Sequence, residues 1–311
     1  MTQDNQIAEP LRQMVELTLS AGRPRQSSQT GFIHYYYQKI EEEAHTIPIL
    51  ENMVFILALF RTRMSDNIQE AKSLLDKLLY FQNSIENDEN GNFPVYLHEY
   101  PHCKDRMMGI RLLIPLYWIW QGFHHILGEP LKNRTKESIL RLLDYSLKMV
   151  KERNAPYPYL LQIGGLARAF GQLFTVPNYV DQGQTIIDVQ EREPNRSFWL
   201  SPEGLSEVIT AVQISDPSFR SEHGQKLWEY LSNTWDSVSC AYIGPGWREY
   251  QSGTEPTPCL YDLFMGIVSG SYSYRAFVDH PYQLKAALLQ PIPIKLPVPC
   301  QSLNGIVDDH Q

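Results

Sequence analysis

The chain has 311 residues, a formal net charge of -8 and a sequence pI near 5.6. Apolar residues make up 43% and aromatic residues 12%, which is enough to build a sizeable core and predicts a folded globular protein. The acidic balance, without a cluster of Lys or Arg, argues against a nucleic-acid partner, because such a partner requires a basic surface.

Cysteine usage and hydropathy predict a cytoplasmic protein. The first residues are polar, where a signal peptide would have a basic start and an apolar run. The longest apolar run covers residues 112–120, well short of the roughly 20 residues of a membrane span. The four cysteines lie far apart with no C-x-x-C motif, so we expect reduced thiols, no disulfide framework and no zinc ribbon. The oligomeric state stays open.

Residues 1–46 are predicted to form an N-terminal helix and a connecting segment. Apolar residues recur at helical spacing between residues 6 and 20, and a Gly-, Pro- and Ser-containing stretch ends the pattern at residues 22–31. The tyrosine-rich segment 32–37 follows. Its rings are expected to pack on neighbouring helices, with ligand stacking as the alternative.

Residues 47–290 are predicted to form a domain of helical hairpins, in which a helix apolar on all sides alternates with a helix that has one apolar face. Pro115 is expected to kink or end the helix that contains it. The polar span 177–197 is predicted to be irregular, with a short strand at residues 185–189, and the proline-rich residues 291–311 to be an extended tail. The predicted helices cover residues 47–63, 66–84, 105–127, 135–150, 160–174, 201–214, 217–235, 259–278 and 282–289.

This succession of hairpins resembles the α/α toroid, or six-hairpin barrel. The local match is Gln82 followed by Asn90-Gly91-Asn92-Phe93, which is similar to the Q-x-n-G-x-W/F turn of terpenoid cyclases and of several glycan-active toroids. About ten helices are visible by periodicity, against twelve in a complete ring, so the expected all-α toroid is complete or open. The chain lacks the acidic motifs of terpenoid cyclases and the Cys/His zinc ligands of lanthionine cyclases and prenyltransferases. The resemblance therefore implies a glycoside hydrolase or a polysaccharide lyase without a cofactor, acting on an oligosaccharide or small molecule.

Two aromatic loops with acidic residues, at 81–106 and 240–258, are the predicted site. Hydrolysis of a glycan requires two carboxyl groups across the scissile bond, for which Glu99 and Glu249 are the candidates because aromatic residues flank both. Elimination would instead use Tyr96, His98 and Arg106 as the acid, the base and the carboxylate-binding group. The predicted substrate-binding residues are Tyr100, His102, Asp105, Trp247, Tyr250 and Glu255.

The local geometry of the first loop and two alternatives for its function follow from the same residues. If residues 95–100 are extended, Tyr96, His98 and Tyr100 share one face of the chain. As one alternative, Glu99 pairs with Arg106 and only supports the loop, as Glu249 would with Arg248. As the other, the loops form a non-catalytic cleft that binds a glycan, a peptide or a partner protein.

A metal site is not predicted. Five potential ligands are scattered over two segments of the chain, and the two adjacent histidines among them point apart on a helix. These residues are His98, His102, Cys103, His124 and His125.

Overall fold

The structure, a computed structural model, describes residues 9–36, 45–152, 155, 157–191, 214–216, 222, 225, 235–236 and 241–242. Helices dominate this part of the chain, which confirms the all-α class, whereas the toroid arrangement stays a prediction. Two pairs of two-residue antiparallel strands are also present: β1 (Tyr35–Tyr36) with β2 (His45–Thr46), and β3 (Trp235–Asp236) with β4 (Ala241–Tyr242). The α-helices in the described residues are α1 (Glu9–Gly22), α2 (Ile49–Arg61), α3 (Ser65–Leu79), α4 (Met108–Phe123), α5 (Glu129–Glu152), α6 (Tyr157–Phe174) and α7 (Pro177–Glu191).

The chain divides into two compact units, one of which contains Met14–Ala155 while the other contains α6 and α7. In the first unit, α2 packs against α3 and α4, and α5 packs against α3 and α4. Helix α2 buries every residue except Glu51, whereas α3 buries only a stripe at Ala71, Leu74, Leu75, Leu78 and Leu79. The predicted succession of a helix buried on nearly all sides and a helix that buries one stripe is confirmed for α2 and α3. The predicted domain limits at residues 46/47 and 290/291 stay predictions.

Helix α4 continues through Pro115, so the proline does not end it. The residues on both sides of Pro115 are buried, from Leu112 to Trp120. This packing stabilises the helix although proline removes one of its backbone hydrogen bonds.

In the second unit, α6 and α7 pack closely at glycines. A Cβ atom on Gly183 would lie 2.5 Å from the Gly164 carbonyl oxygen, so the backbones nearly touch. The predicted strand at residues 185–189 is wrong, because these residues lie inside α7. The physical reason is burial at helical spacing: Tyr179, Gly183, Ile187 and Gln190 are all buried, and they recur every three or four residues.

The helices predicted at 201–214, 217–235, 259–278 and 282–289 and the tail lie almost wholly outside the described residues. Among the helices that the structure does describe, none has the length and apolarity that crossing a membrane requires.

Candidate functional site

The segment between α3 and α4 is closed by the turn that carried the toroid resemblance. Gln82 Nε2 donates to the carbonyl oxygen of Gly91 at 2.7 Å and to that of Ser138 in α5 at 3.0 Å. Gly91 has φ +94°, and a Cβ atom there would lie 2.7 Å from the Arg141 carbonyl oxygen. Glycine is therefore required by the backbone conformation and by the close approach to α5.

Asn92 ties the far end of the segment to the same helix. Its side chain is buried, and Nδ2 donates to the carbonyl oxygen of Asp105 at 3.1 Å and to the hydroxyl of Tyr145 at 3.3 Å. The Tyr145 hydroxyl in turn donates to the carbonyl oxygen of Arg106 at 3.3 Å. Gln82 and Asn92 thus hold both sides of the predicted site loop, residues 93–106, on α5.

A second attachment joins this loop to the N-terminal end of α2. Ile49 N–H donates to the Val95 carbonyl oxygen, and Leu97 N–H donates to the Ile47 carbonyl oxygen, each at 3.0 Å. Strand β2 directly precedes this paired segment and pairs with β1. The backbone of the tyrosine-rich segment therefore belongs to the same set of paired strands as Tyr96. No local sequence pattern predicts this proximity.

The centre of the loop is a 3-10 turn at Leu97–Glu99, so residues 95–100 do not form the extended chain that would place Tyr96, His98 and Tyr100 on one face. The turn forms because the Glu99 carboxylate accepts the backbone N–H of Tyr96 at 3.3 Å while the Glu99 N–H donates to the Tyr96 carbonyl oxygen at 3.0 Å. The rings of Tyr96 and His98 still stack, with centroids 5.7 Å apart and planes 11° apart. Tyr100 instead packs edge-on against Phe81 of the α3 end, at 5.8 Å and 86°.

Glu99 supports the loop, but with a different partner from the one expected. Its side chain is only 10% exposed, and its Oε1 lies 3.1 Å from Nζ of Lys104, so Lys104 and not Arg106 is its cation. The backbone N–H of Tyr96 and the ammonium of Lys104 thus engage both carboxylate oxygens of Glu99 within the loop.

Asp105 and His102 have distinct positions in the loop. Asp105 Oδ1 accepts the backbone N–H of Met107 at 2.9 Å, and Oδ2 lies 3.5 Å from the Arg111 guanidinium, so Asp105 organises the start of α4. His98 and His102 are exposed. The side chains of His98, Tyr100 and His102 are thus exposed, whereas the carboxylates of Glu99 and Asp105 bind groups of the protein itself.

Two buried groups, the thiol of Cys103 and the hydroxyl of Tyr145, lie next to the loop. The sequence analysis considered Cys103 only as a metal ligand and gave Tyr145 no role. Glu89 accepts the backbone N–H of Cys103 at 3.0 Å. Burial, followed by the charge of Glu89, raises the pKa of Cys103 to about 12. Burial also raises the pKa of Tyr145 above its ordinary range. Both groups stay protonated at neutral pH and serve as packing and hydrogen-bonding groups.

The remaining predicted residues lie outside the described part of the chain: Trp247, Arg248, Glu249, Tyr250 and Glu255. The convergence of the two loops therefore stays a prediction. Within the ranges that the structure describes, no group of three or more His, Cys, Asp or Glu side chains is placed to hold a metal ion.

No protein-family model matches the chain, and comparison with curated proteins and with solved structures finds no significant match.

Sequence reasoning missed Phe81, Lys104, Glu89 and Asn92 as parts of the site. Asn92 lies inside the Gln82–Phe93 motif, so its neighbourhood was visible in the sequence. The partners Phe81 and Glu89 are 19 and 14 residues away from Tyr100 and Cys103, and only the folded loop brings them together.

Proposed function

We propose that this protein binds a carbohydrate through the aromatic surface of residues 93–106. The observation that carries the proposal is the stacking of the half-buried Tyr96 ring on the exposed His98 ring. Flat rings pack against the apolar C–H faces of sugars, and the phenol and imidazole groups offer donors and acceptors to the sugar hydroxyls. A few polar groups on an aromatic base are typical of small-ligand sites.

The rigidity of the loop supports binding as its role. Backbone hydrogen bonds to residues 47 and 49, the Glu99 contact to Tyr96 and the Asn92 contacts to α5 hold the turn before any ligand arrives. A preorganised site loses less conformational freedom on binding than a mobile one. The loop therefore does not have to become ordered when a ligand binds.

Catalysis by elimination is the second candidate, and one observation favours it. Tyr96 and His98, an acid and a base of the types that elimination uses, are immediate neighbours with ring centroids 5.7 Å apart. Arg106 would bind the carboxylate of an acidic sugar. Hydrolysis with Glu99 as the acid has less support because Glu99 is engaged with Tyr96 and Lys104. Glu249 stays the proposed partner carboxylate of that mechanism.

We extend the proposal to architecture and location. The alternation of the inner helices α2 and α4 with the outer helices α3 and α5, joined through the Gln82–Gly91 turn, supports an α/α toroid, complete or open. The free thiol of Cys103 is consistent with a reducing, cytoplasmic location.

The experiment is a calorimetric binding screen of neutral and acidic oligosaccharides, combined with product analysis by chromatography. Tyr96→Ala and His98→Ala should each weaken binding about tenfold, because each removes one ring of the stacked pair. Tyr80→Ala is the matched control, since Tyr80 is exposed directly after α3 and contacts Arg134 of α5.

Tyr96→Phe separates the two candidates. It keeps the ring and removes only the hydroxyl, so binding by stacking should persist while elimination through the phenol should stop. A protein that binds no carbohydrate of the panel, or whose binding is unaffected by both alanine variants while their thermal unfolding is unchanged, would contradict the proposal.

A further inference from the structure

The ion pair between Lys104 and Glu99 exposes its positive member and covers its negative one. Lys104 exposes 76% of its side chain, whereas Glu99 exposes 10%. Both carboxylate oxygens of Glu99 are engaged, Oε2 by the N–H of Tyr96 and Oε1 by the ammonium of Lys104. A ligand that approaches this pair from solvent therefore meets the ammonium more readily than the carboxylate.

The capping of the 3-10 turn places this ammonium at the Tyr96 end of the turn. The Glu99 side chain folds back to the Tyr96 N–H at 3.3 Å, and Nζ of Lys104 lies 3.1 Å from the other oxygen. Only the width of one carboxylate separates these two contacts, so Nζ lies within about 9 Å of the Tyr96 backbone nitrogen. Tyr96 is also the residue whose ring stacks on His98. A cation and the stacked rings thus share one end of a short turn.

The Lys104 ammonium is able to bind a ligand while it keeps its contact with Glu99. An ammonium has three N–H donors, and the contact with Glu99 uses one of them. Exposed ion pairs contribute little to stability, so this pairing does not hold the ammonium away from a second carboxylate.

Arg106 is the other cation of the loop and is less accessible. It is half-buried, and its Nη1 atom is shielded from solvent. A ligand would have to displace protein atoms to reach that nitrogen, whereas the Lys104 ammonium already faces solvent. Lys104 is therefore the better candidate for binding an anionic group of the ligand.

We infer that Lys104 selects acidic sugars: a uronic acid residue that packs on the Tyr96–His98 rings pairs its carboxylate with the Lys104 ammonium. The inference rests on the proposed carbohydrate-binding function and adds the class of sugar and the residue that recognises it. A uronic acid carries its carboxylate at the edge of the sugar ring, so the face of the sugar stays free to pack on the aromatic rings. Complementary charge of this kind contributes specificity more than affinity.

The test is titration calorimetry at low ionic strength with oligogalacturonides and oligomannuronides, each as the acid and as the full methyl ester. The ester keeps the sugar chain and removes the charge. The wild type should bind one acid about fivefold more tightly than its ester, and added salt should reduce this preference. Lys104→Ala should bind acid and ester equally, with the affinity for the ester unchanged, while Lys104→Arg should keep the preference.

Three further variants separate attraction by Lys104 from other effects. Lys132→Ala is the matched control, because Lys132 and Glu129 form an ion pair of the same 3.1 Å length on α5. It should keep the preference. Glu99→Gln keeps the ammonium and should keep the preference too. The double variant Glu99→Gln, Lys104→Ala should bind acid and ester equally, which excludes repulsion by an uncovered Glu99 carboxylate as the cause. Thermal unfolding of each variant shows whether it is folded.

The outcomes separate this inference from the proposed function. Equal affinity of the wild type for acid and ester, or binding of neutral oligosaccharides alone, would overturn the selection of acidic sugars and leave the proposed function standing. A preference that survives in folded Lys104→Ala or in the folded double variant would overturn Lys104 as its source. So would a preference that is lost in folded Arg106→Ala but not in Lys104→Ala. If no carbohydrate binds, both proposals fall.

Discussion

The carboxylate of Glu99 accepts the backbone N–H of Tyr96 at 3.3 Å, and this bond closes the turn that presents the aromatic pair. The same carboxylate pairs with Lys104. An acid that holds its own loop together in this way acts on ligand binding through the position of the rings. Its substitution should therefore change stability more than it changes chemistry.

Glu99→Gln tests this role. Glutamine can still accept the Tyr96 N–H through its side-chain oxygen but loses the charge, so we expect a destabilisation of about 0.5–1 kcal/mol and carbohydrate binding within a factor of two or so. Glu99→Ala removes both contacts and should cost about 1–2 kcal/mol. Urea unfolding and calorimetry measure the two effects. Lys104→Ala is the control, because it removes the ion pair alone. If Glu99→Gln is stable but loses a glycan-cleaving activity, Glu99 is a catalytic residue and not a support of the loop.

Gly91→Ala should be strongly destabilising, and Gly128→Ala provides its control. Both residues have positive φ, +94° and +79°, but only at Gly91 would a Cβ atom meet backbone, at 2.7 Å from the Arg141 oxygen. We expect a loss of about 1–2 kcal/mol at Gly128, from the left-handed conformation, and about 2–4 kcal/mol at Gly91, where the clash adds to it. If both variants lose the same free energy of unfolding in denaturant, the close approach of Gly91 to α5 does not contribute to the destabilisation.

The sequence predicted the helices of the first unit because their signal is local. Burial on all sides of α2 and on one stripe of α3 follows directly from the spacing of apolar residues. The loop was predicted less well because residues 95–100 have two competing local solutions. An alternating aromatic pattern favours an extended chain, while a carboxylate three residues after Tyr96 favours a capped turn, and the turn forms.

Long-range partners explain the other differences. Lys104 and Arg106 both follow Glu99 within the same loop, and only the folded loop decides which one pairs with it. Helix α7 was missed because its buried positions include Gly183 and Gln190, which do not count as apolar in a periodicity argument. Its stability depends on contact with α6, and that contact is not a property of residues 177–191 alone.

Gly183→Ala and Gly122→Ala should act in opposite directions. A Cβ atom on Gly183 would lie 2.5 Å from the Gly164 oxygen and 2.8 Å from the Arg168 nitrogen, so α6 and α7 would have to separate, at about 1–3 kcal/mol. Gly122 is exposed in the last turn of α4 with no atom within 4 Å of such a Cβ, and alanine there should stabilise by about 0.5–1 kcal/mol. Thermal unfolding, followed by circular dichroism, measures the direction of each change in stability. A Gly183→Ala variant of unchanged stability would contradict the close packing of α6 and α7.

Cys103 should be unreactive in the folded protein. Burial raises the pKa of its thiol from the ordinary 9.0 to about 12, so almost no thiolate, the reactive form, exists at pH 8. A colorimetric thiol reagent should count the same number of fast-reacting thiols in the wild type and in Cys103→Ala at that pH. In denaturant without reductant, the wild type should show all four cysteines and the variant one fewer.

The same shift predicts how stability changes with pH. Because the folded pKa lies above the unfolded one, the unfolded chain loses this proton first. The contribution of the thiol to the free energy of unfolding is therefore complete below pH 9 and decreases as the pH rises toward about 12. Tyr145 acts in the same direction, since its pKa is also raised. Urea unfolding of the wild type should show this alkaline loss, and Cys103→Ala should show a smaller one. A fast-reacting Cys103 at pH 8, or identical pH profiles for the two proteins, would mean that the thiol lies closer to solvent than the burial of Cys103 indicates.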